Sequence, residues 1–234
     1  MIEEIEIEAY LLISPNEFEI NLFNKKKRIN LYKQKLQLSK KNDIIDIALL
    51  IKFLEDNIFK IEKLIGKFIK NIILVIESKK INSLVFGIKK KNYENKINKK
   101  FLENSLTDAK DLFSESYQQE KIMHILINKC LVDGKHYSLF KNAIKGENLC
   151  IEIEFKSLPK SLSLEIEKVL QKYQIKVSNY LDGNYIKNFF KDDEMDTSKM
   201  VYEIQNGVNQ NEVKLIPKNA KKIGFFVKFF QLFS

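Results

Sequence analysis

Ile5-Glu6-Ile7-Glu8-Ala9-Tyr10-Leu11-Leu12-Ile13-Ser14-Pro15-Asn16-Glu17-Phe18-Glu19-Ile20-Asn21-Leu22 is the stretch on which the fold class turns. Ile5, Ile7 and Ala9 alternate with glutamates. Tyr10 to Ile13 is an unbroken apolar run, and Phe18, Ile20 and Leu22 alternate with Glu17, Glu19 and Asn21. A period of two places alternate side chains of an extended chain on a core, so this stretch predicts two strands joined at Ser14-Pro15-Asn16. Asn24-Lys25 predicts a second turn, and Ile29, Leu31, Leu36 and Leu38 a third strand. The period then lengthens. Asn42 or Asp43 caps a helix whose apolar face is Ile44, Ile47, Ile51, Leu54, Ile58, Ile61 and Ile65. Gly66 ends it, and Ile72 to Ile76 is a buried strand.

A second block begins near Lys80. Leu84, Phe86 and Ile88 alternate as a strand, a lysine-rich loop follows, and a helix is predicted around Phe101 to Phe113. Ile122 to Val132 is an apolar stretch interrupted at Asn128-Lys129, and Asp133-Gly134 reads as a turn. Leu149, Ile151, Ile153 and Phe155 alternate with Cys150, Glu152, Glu154 and Lys156. The block is strand, helix, strand, strand. A helix carrying Leu162, Ile166, Val169 and Leu170, a strand at Ile175 and Val177, and a short helix from Tyr185 to Phe190 return to the style of the first block. Residues 191–199 are too polar to pack and read as a linker. Val201 to Ile204, Asn206-Gly207 and Val213 to Ile216 suggest a hairpin. The expected organisation is a first lobe from 1–79 and 158–190, an inserted small subdomain at 80–157, a linker with a hairpin at 191–217, and a terminal helix at 218–234. The fold class is α/β (α+β).

The chain has 234 residues, 40 Lys and Arg against 31 Asp and Glu, and a net charge of +9. Ile, Lys, Asn and Phe are abundant and Ala is scarce, the bias of AT-rich coding sequence, so the position of the lysines says more than their total. Seven glycines argue against a Gly-based phosphate loop. No apolar run reaches the ~18 residues that span a bilayer. The acidic start, Met1-Ile2-Glu3-Glu4, lacks the basic and apolar character of a secretory signal. Cys130 and Cys150 are expected as free thiols in a reducing cytoplasm.

Lys221-Lys222-Ile223-Gly224-Phe225-Phe226-Val227-Lys228-Phe229-Phe230-Gln231-Leu232-Phe233-Ser234 carries the clearest chemistry. At ~100° per residue its apolar side chains fill a broad arc and Lys221, Lys228 and Gln231 lie in the remainder. Such a helix is too short to span a bilayer and suits the interface. Burying one Phe is worth roughly 1.5–3 kcal/mol, and each Lys near an anionic surface about 1 kcal/mol. The membrane-binding residues are therefore Lys221, Lys222, Ile223, Phe225, Phe226, Lys228, Phe229, Phe230 and Phe233, and the partner is the anionic lipid of the inner membrane. The alternative is an ordinary terminal helix docked on the protein's own core. The single-signed charge, the density of Phe and the polar linker before it favour lipid.

The remaining candidates are weaker. His124, Cys130, His136 and Cys150 lack the paired spacing of a zinc site, so no metal is expected. Nothing marks a cysteine as an activated nucleophile, and no catalytic residue is expected. The lysines of 89–100 lack interleaved aromatics and form a solvated loop, with no nucleic-acid partner.

The order strand, strand, strand, helix, strand, then an inserted strand-helix-strand-strand block, then helix and strand resembles the first half of FtsA, the actin-like bacterial cell-division protein. His124-Ile-Leu-Ile-Asn-Lys-Cys-Leu-Val-Asp133-Gly134 resembles that family's His-x-Ile-Pro-x-x-aromatic-x-hydrophobic-Asp-Gly stretch. Ile127 stands at the proline and Cys130 at the aromatic. Gly146 before the Leu149 to Phe155 alternation also fits, as does the Phe-rich basic tail. The resemblance covers about residues 8–190 and 218–234. It implies half of an actin-like (ribonuclease H-like) fold with an inserted subdomain and a membrane-targeting helix, and, as the first reading, a non-catalytic cell-division protein that acts as a peripheral adaptor or anchor for the Z ring or divisome on the cytoplasmic face of the inner membrane. Divisome proteins, FtsZ and further copies of the chain are the implied partners.

The departures from the family bear on cofactors. Where its first phosphate loop has Gly and Lys, this chain has Ser14 and Glu17, with Pro15 between them. The second phosphate loop and most of the second lobe are absent. The expectation is no ATP binding, no cofactor and no enzyme activity, and the loss of the second lobe removes the FtsZ site the resemblance would supply. A second reading is an actin-like scaffold of a secretion or pilus system. A third, an ATPase or hydrolase, is disfavoured by the missing glycine loops.

Overall fold

The computed structural model describes residues 6–38, 44–93, 96–137, 143–191 and 195–214. The strands and helices in chain order are β1 (Ile7–Ile13), β2 (Glu17–Asn24), β3 (Ile29–Gln37), α1 (Ile47–Ile65), β4 (Asn71–Ile76), β5 (Asn82–Lys91), β6 (Lys96–Ile97) and α2 (Lys99–Ser116). There follow β7 (Glu120–Val132), β8 (Lys135–His136), β9 (Ile144–Lys145), β10 (Asn148–Pro159), α3 (Lys160–Gln171), β11 (Lys176–Asp182), α4 (Gly183–Phe190) and α5 (Thr197–Gln205). They form two compact units. One comprises the chain up to Ile81 together with Leu158–Asn206, and the other Asn82–Ser157 with the described residues from Gly207 onward.

The first unit holds a five-stranded sheet in the order β11-β4-β1-β2-β3. β1 pairs antiparallel with β2, with Ile13 opposite Phe18, and β2 pairs antiparallel with β3. β1 and β4 are parallel, as are β4 and β11. The apolar run Tyr10 to Ile13 reflects a central strand covered on both faces. Tyr10 and Leu12 join Ile186 of α4 and Met200, Val201 and Ile204 of α5 in one cluster. On the other face Phe18 meets Phe53 of α1, with ring centroids 6.0 Å apart. α1 starts at Asp46, whose carboxylate accepts from Leu49 N, and stops at Gly66 with φ 68°. Its cap is Asp46; Asn42 and Asp43, expected in that role, lie outside the described residues.

The second unit has a sheet in the order β5-β10-β7-β8. β5 and β10 run antiparallel, with Phe86 opposite Ile153. α2 packs Leu106, Ala109 and Phe113 into a core with Ile151, Ile153 and Phe155, and Phe113 stacks on Phe155 at 4.8 Å. In sequence this unit is a strand-helix-strand-strand insertion between β4 and α3. Sheet order and strand directions together are those of half of an actin-like fold carrying an inserted subdomain.

Two local expectations are corrected. Residues 201–204 are not a hairpin strand. They lie in α5, because Met200, Val201 and Ile204 are spaced to bury one helical face, and tertiary burial overrides the β-favouring Val-Tyr pair. Residues 197–205 thus belong to the first unit and are no linker. Val213, the other half of the expected hairpin, bonds instead to Ile125 O of β7. β7 itself runs unbroken through Asn128-Lys129. These two exposed residues fall between its pairing with Asn211–Val213 and its pairing with β8.

Candidate functional site

Parallel strands collect ligands outside their carboxyl ends, where following loops and helix N-termini converge. Here β1, β4 and β11 end together at Ile13, Ile76 and Asp182. The turn after β1 is closed on itself. Ser14 N donates to Glu17 O at 3.0 Å. The Ser14 hydroxyl accepts from Asn16 N at 3.2 Å and Glu17 N at 2.9 Å. Pro15 has no N–H to offer. The donors that would cradle a phosphate are therefore already engaged by a buried serine oxygen.

Charge at this end is also paired internally. Glu17 Oε2 lies 2.6 Å from Lys35 Nζ and accepts from Gln37 at 2.9 Å. Burial pushes the Glu17 carboxyl up, but the hydrogen bonds from Lys35 and Gln37 and the charges of Lys35 and Lys187 outweigh it and hold it below the usual carboxylate range. Glu77, just past β4, sits 2.6 Å from Lys187 Nζ of α4. Gly183 makes that approach possible, since a Cβ there would fall 2.5 Å from Glu77 Cγ. The N-terminus of α4 is capped by buried Asp182, whose carboxylate accepts from Asn184 N at 2.9 Å. Two carboxylates with a lysine each, beside a capped helix, leave no unpaired cation among these residues for an anionic ligand.

The motif that carries the resemblance is structural here. Asp133 and Gly134 adopt φ of 48° and 78°, forming the tight turn between β7 and β8. Hydrogen bonds from Asn148 N, the Asn148 side chain and Glu147 N hold the Asp133 carboxyl below its ordinary range. Gly146 lies so close that a Cβ would meet Val132 Cγ1 at 2.2 Å. His124 is buried, with Nδ1 2.8 Å from Glu212 Oε1, and this pair fastens residues 211–213 to the edge of β7. Nothing in the sequence connects two residues so far apart, nor Glu77 with Lys187 and Gly183, so neither pair was legible beforehand.

Cys130 is buried, and burial, with a smaller effect from nearby Cys150, pushes its thiol up to about 11. That suits a core residue and not a nucleophile. His136 is exposed on β8. Among the described residues no three His, Cys, Asp or Glu side chains gather as metal ligands, and no helix is long and apolar enough to cross a membrane. Lys221, Lys222, Ile223, Phe225, Phe226, Lys228, Phe229, Phe230 and Phe233 lie outside the described residues.

No protein-family model and no curated protein matches the chain in sequence. In three dimensions it is similar to the cytoplasmic domain of EpsL, an inner membrane component of the type II secretion system of Vibrio cholerae. That match has 8% identity, covers 77% of this chain and 57% of that one, and has a TM-score of 0.36. It is also similar to a PilM–PilN type IV pilus biogenesis complex, at 8% identity over 80% of this chain and 50% of that one, with a TM-score of 0.48. A protein of actin-like ATPase fold and unknown function from Bacteroides thetaiotaomicron matches at 14% identity over 81% and 58%, with a TM-score of 0.34. The chain thus spans 50% to 58% of the length of these structures.

Proposed function

We propose that this chain is a non-catalytic, actin-like scaffold that works at the cytoplasmic face of a membrane and takes no nucleotide. One observation carries the reading: the turn at Ser14–Glu17 satisfies its own donors and places a carboxylate, held in its charged form, where a phosphate would need a cation. Lipid attachment falls to the Phe-rich basic segment at 221–233. Cell division is not the setting proposed. His124, Asp133, Gly134 and Gly146, which suggested it, have packing and turn roles that any use of this subdomain would keep. The setting proposed is the other one raised by the sequence, a secretion or pilus assembly system, with its inner-membrane subunits as partners.

Calorimetry with magnesium and ATP tests the first part. No saturable binding is expected, and a micromolar Kd would refute it. Co-purification against inner-membrane secretion or pilus subunits, with FtsZ as the competing bait, tests the setting. Retention of FtsZ alone would return the chain to cell division.

A further inference from the structure

The amino ends of the same parallel strands, opposite the closed turn, have a different character. A cavity of about 810 Å³ opens there, with Ala9, Leu22 and Ile73 in its floor and Lys25, Lys67, Phe68 and Lys70 among its walls. Of the three lysines in that lining, Lys25 is paired with Glu8 at 3.4 Å and Glu6 at 3.5 Å, while Lys67 and Lys70 are exposed. Phe68 is 79% exposed, and Leu64, in the last turn of α1, is 56% exposed. An aromatic ring so placed costs free energy in water unless something covers it.

The loop that carries Phe68 is held at both ends. Gly66 turns the chain at φ 68°. Ile69 N donates to Glu62 Oε1 at 3.0 Å, and Lys70 O accepts from Lys176 N at 2.9 Å. Ile69 is buried between the two exposed lysines and points its side chain inward. The outward aim of Phe68 is therefore built into the fold. Lys26 and Lys27, in the turn that begins at Lys25, extend the exposed basic surface, whereas Arg28 is paired with Glu203 at 3.2 Å.

We infer that this end of the first unit is a second lipid-contacting surface, in which Phe68 and Leu64 enter the interface of an anionic bilayer while Lys67 and Lys70 meet headgroup phosphates. Charge complementarity selects the occupant. The cations around the cavity are all lysines, which are depleted from the cores of protein–protein contacts. Lysines flanking a protruding apolar ring match the charged and apolar layers of a membrane surface. The surface goes beyond the attachment assigned to 221–233 and uses none of its residues. It also turns the closed crevice at Ser14–Glu17 away from the bilayer.

The chain contains no Trp, so Phe68→Trp in the full chain gives a single reporter at an exposed position. Vesicles of phosphatidylglycerol with phosphatidylcholine are expected to shift its emission to the blue, and brominated lipid to quench it. Pure phosphatidylcholine is expected to do much less. Lys67→Ala with Lys70→Ala should weaken binding to the anionic vesicles by roughly fivefold per lysine, with an unchanged circular dichroism spectrum. Co-sedimentation with unshifted emission would overturn the surface and leave the attachment at 221–233 standing. No sedimentation with any vesicle would overturn both. A shift produced by an acidic peptide and not by vesicles would make this a protein site and overturn the inference.

Discussion

Gly146→Ala tests whether the stretch that suggested FtsA is structural. The added Cβ would sit 2.2 Å from Val132 Cγ1 and 2.9 Å from Asp133 Oδ2. Val132 is 1% exposed and β-branched, so its side chain has little freedom to retreat. Asp133 is tied by Asn148 N at 2.9 Å and by the Asn148 side chain at 3.0 Å. The backbone must give way. Overpacking of this kind costs about 1–3 kcal/mol, and the entropy that Ala removes from the unfolded chain offsets about 0.4–1 kcal/mol of it. The net expectation is a destabilisation on the order of 1–2 kcal/mol, read as a lower urea midpoint by far-UV circular dichroism at constant m. In a Val132→Ala background the clashing methyl is gone and only the 2.9 Å approach to Asp133 Oδ2 remains, so the same substitution should cost clearly less. The cost of the added Cβ therefore depends on the partner. An equal cost in both backgrounds would refute the argument, because uncoupled sites add to within about 0.5 kcal/mol.

Glu17→Gln should change the acid limb of the stability profile. The folded carboxyl titrates below its ordinary range, so its contribution is full above the unfolded value and is lost as pH falls through the folded one. The variant should lack that loss, and superimposable acid-unfolding curves would contradict the pairing with Lys35 and Gln37. Ile204→Ala should cost about 2–5 kcal/mol in urea unfolding, because Ile204 is fully buried against the first sheet. A cost below about 1 kcal/mol would favour an exposed hairpin for this segment.

The first sheet was legible because its signals are local. Period two at Phe18, Ile20 and Leu22, the unbroken run at Tyr10 to Ile13 and the longer period of α1 each follow from which faces are covered. What failed to show was set by partners far away in sequence. Val201 and Ile204 have strand-like composition, and only burial against Tyr10 and Leu12 makes them helical. Glu212 has no local role, and its meaning comes from a histidine on β7. At the candidate site the loss of the glycine loop could be read directly at Ser14-Pro15-Asn16-Glu17. The lysines that neutralise Glu17 and Glu77 could not, since β3 and α4 bring Lys35 and Lys187 from opposite ends of the lobe.

The two ends of the parallel strands of the first sheet thus differ in character. At the carboxyl end the serine, the two glutamates and the aspartate at the start of α4 each find a partner inside the unit. A ligand arriving there must first break those contacts. At the amino end the lysines line an open cavity beside an exposed ring. On the reading proposed, a lobe built this way gains nothing from nucleotide, because a ligand shifts an equilibrium only by its differential affinity for two states. Its responsiveness would then come from what covers its surfaces, and the covering proposed for its exposed charge and apolar area is lipid.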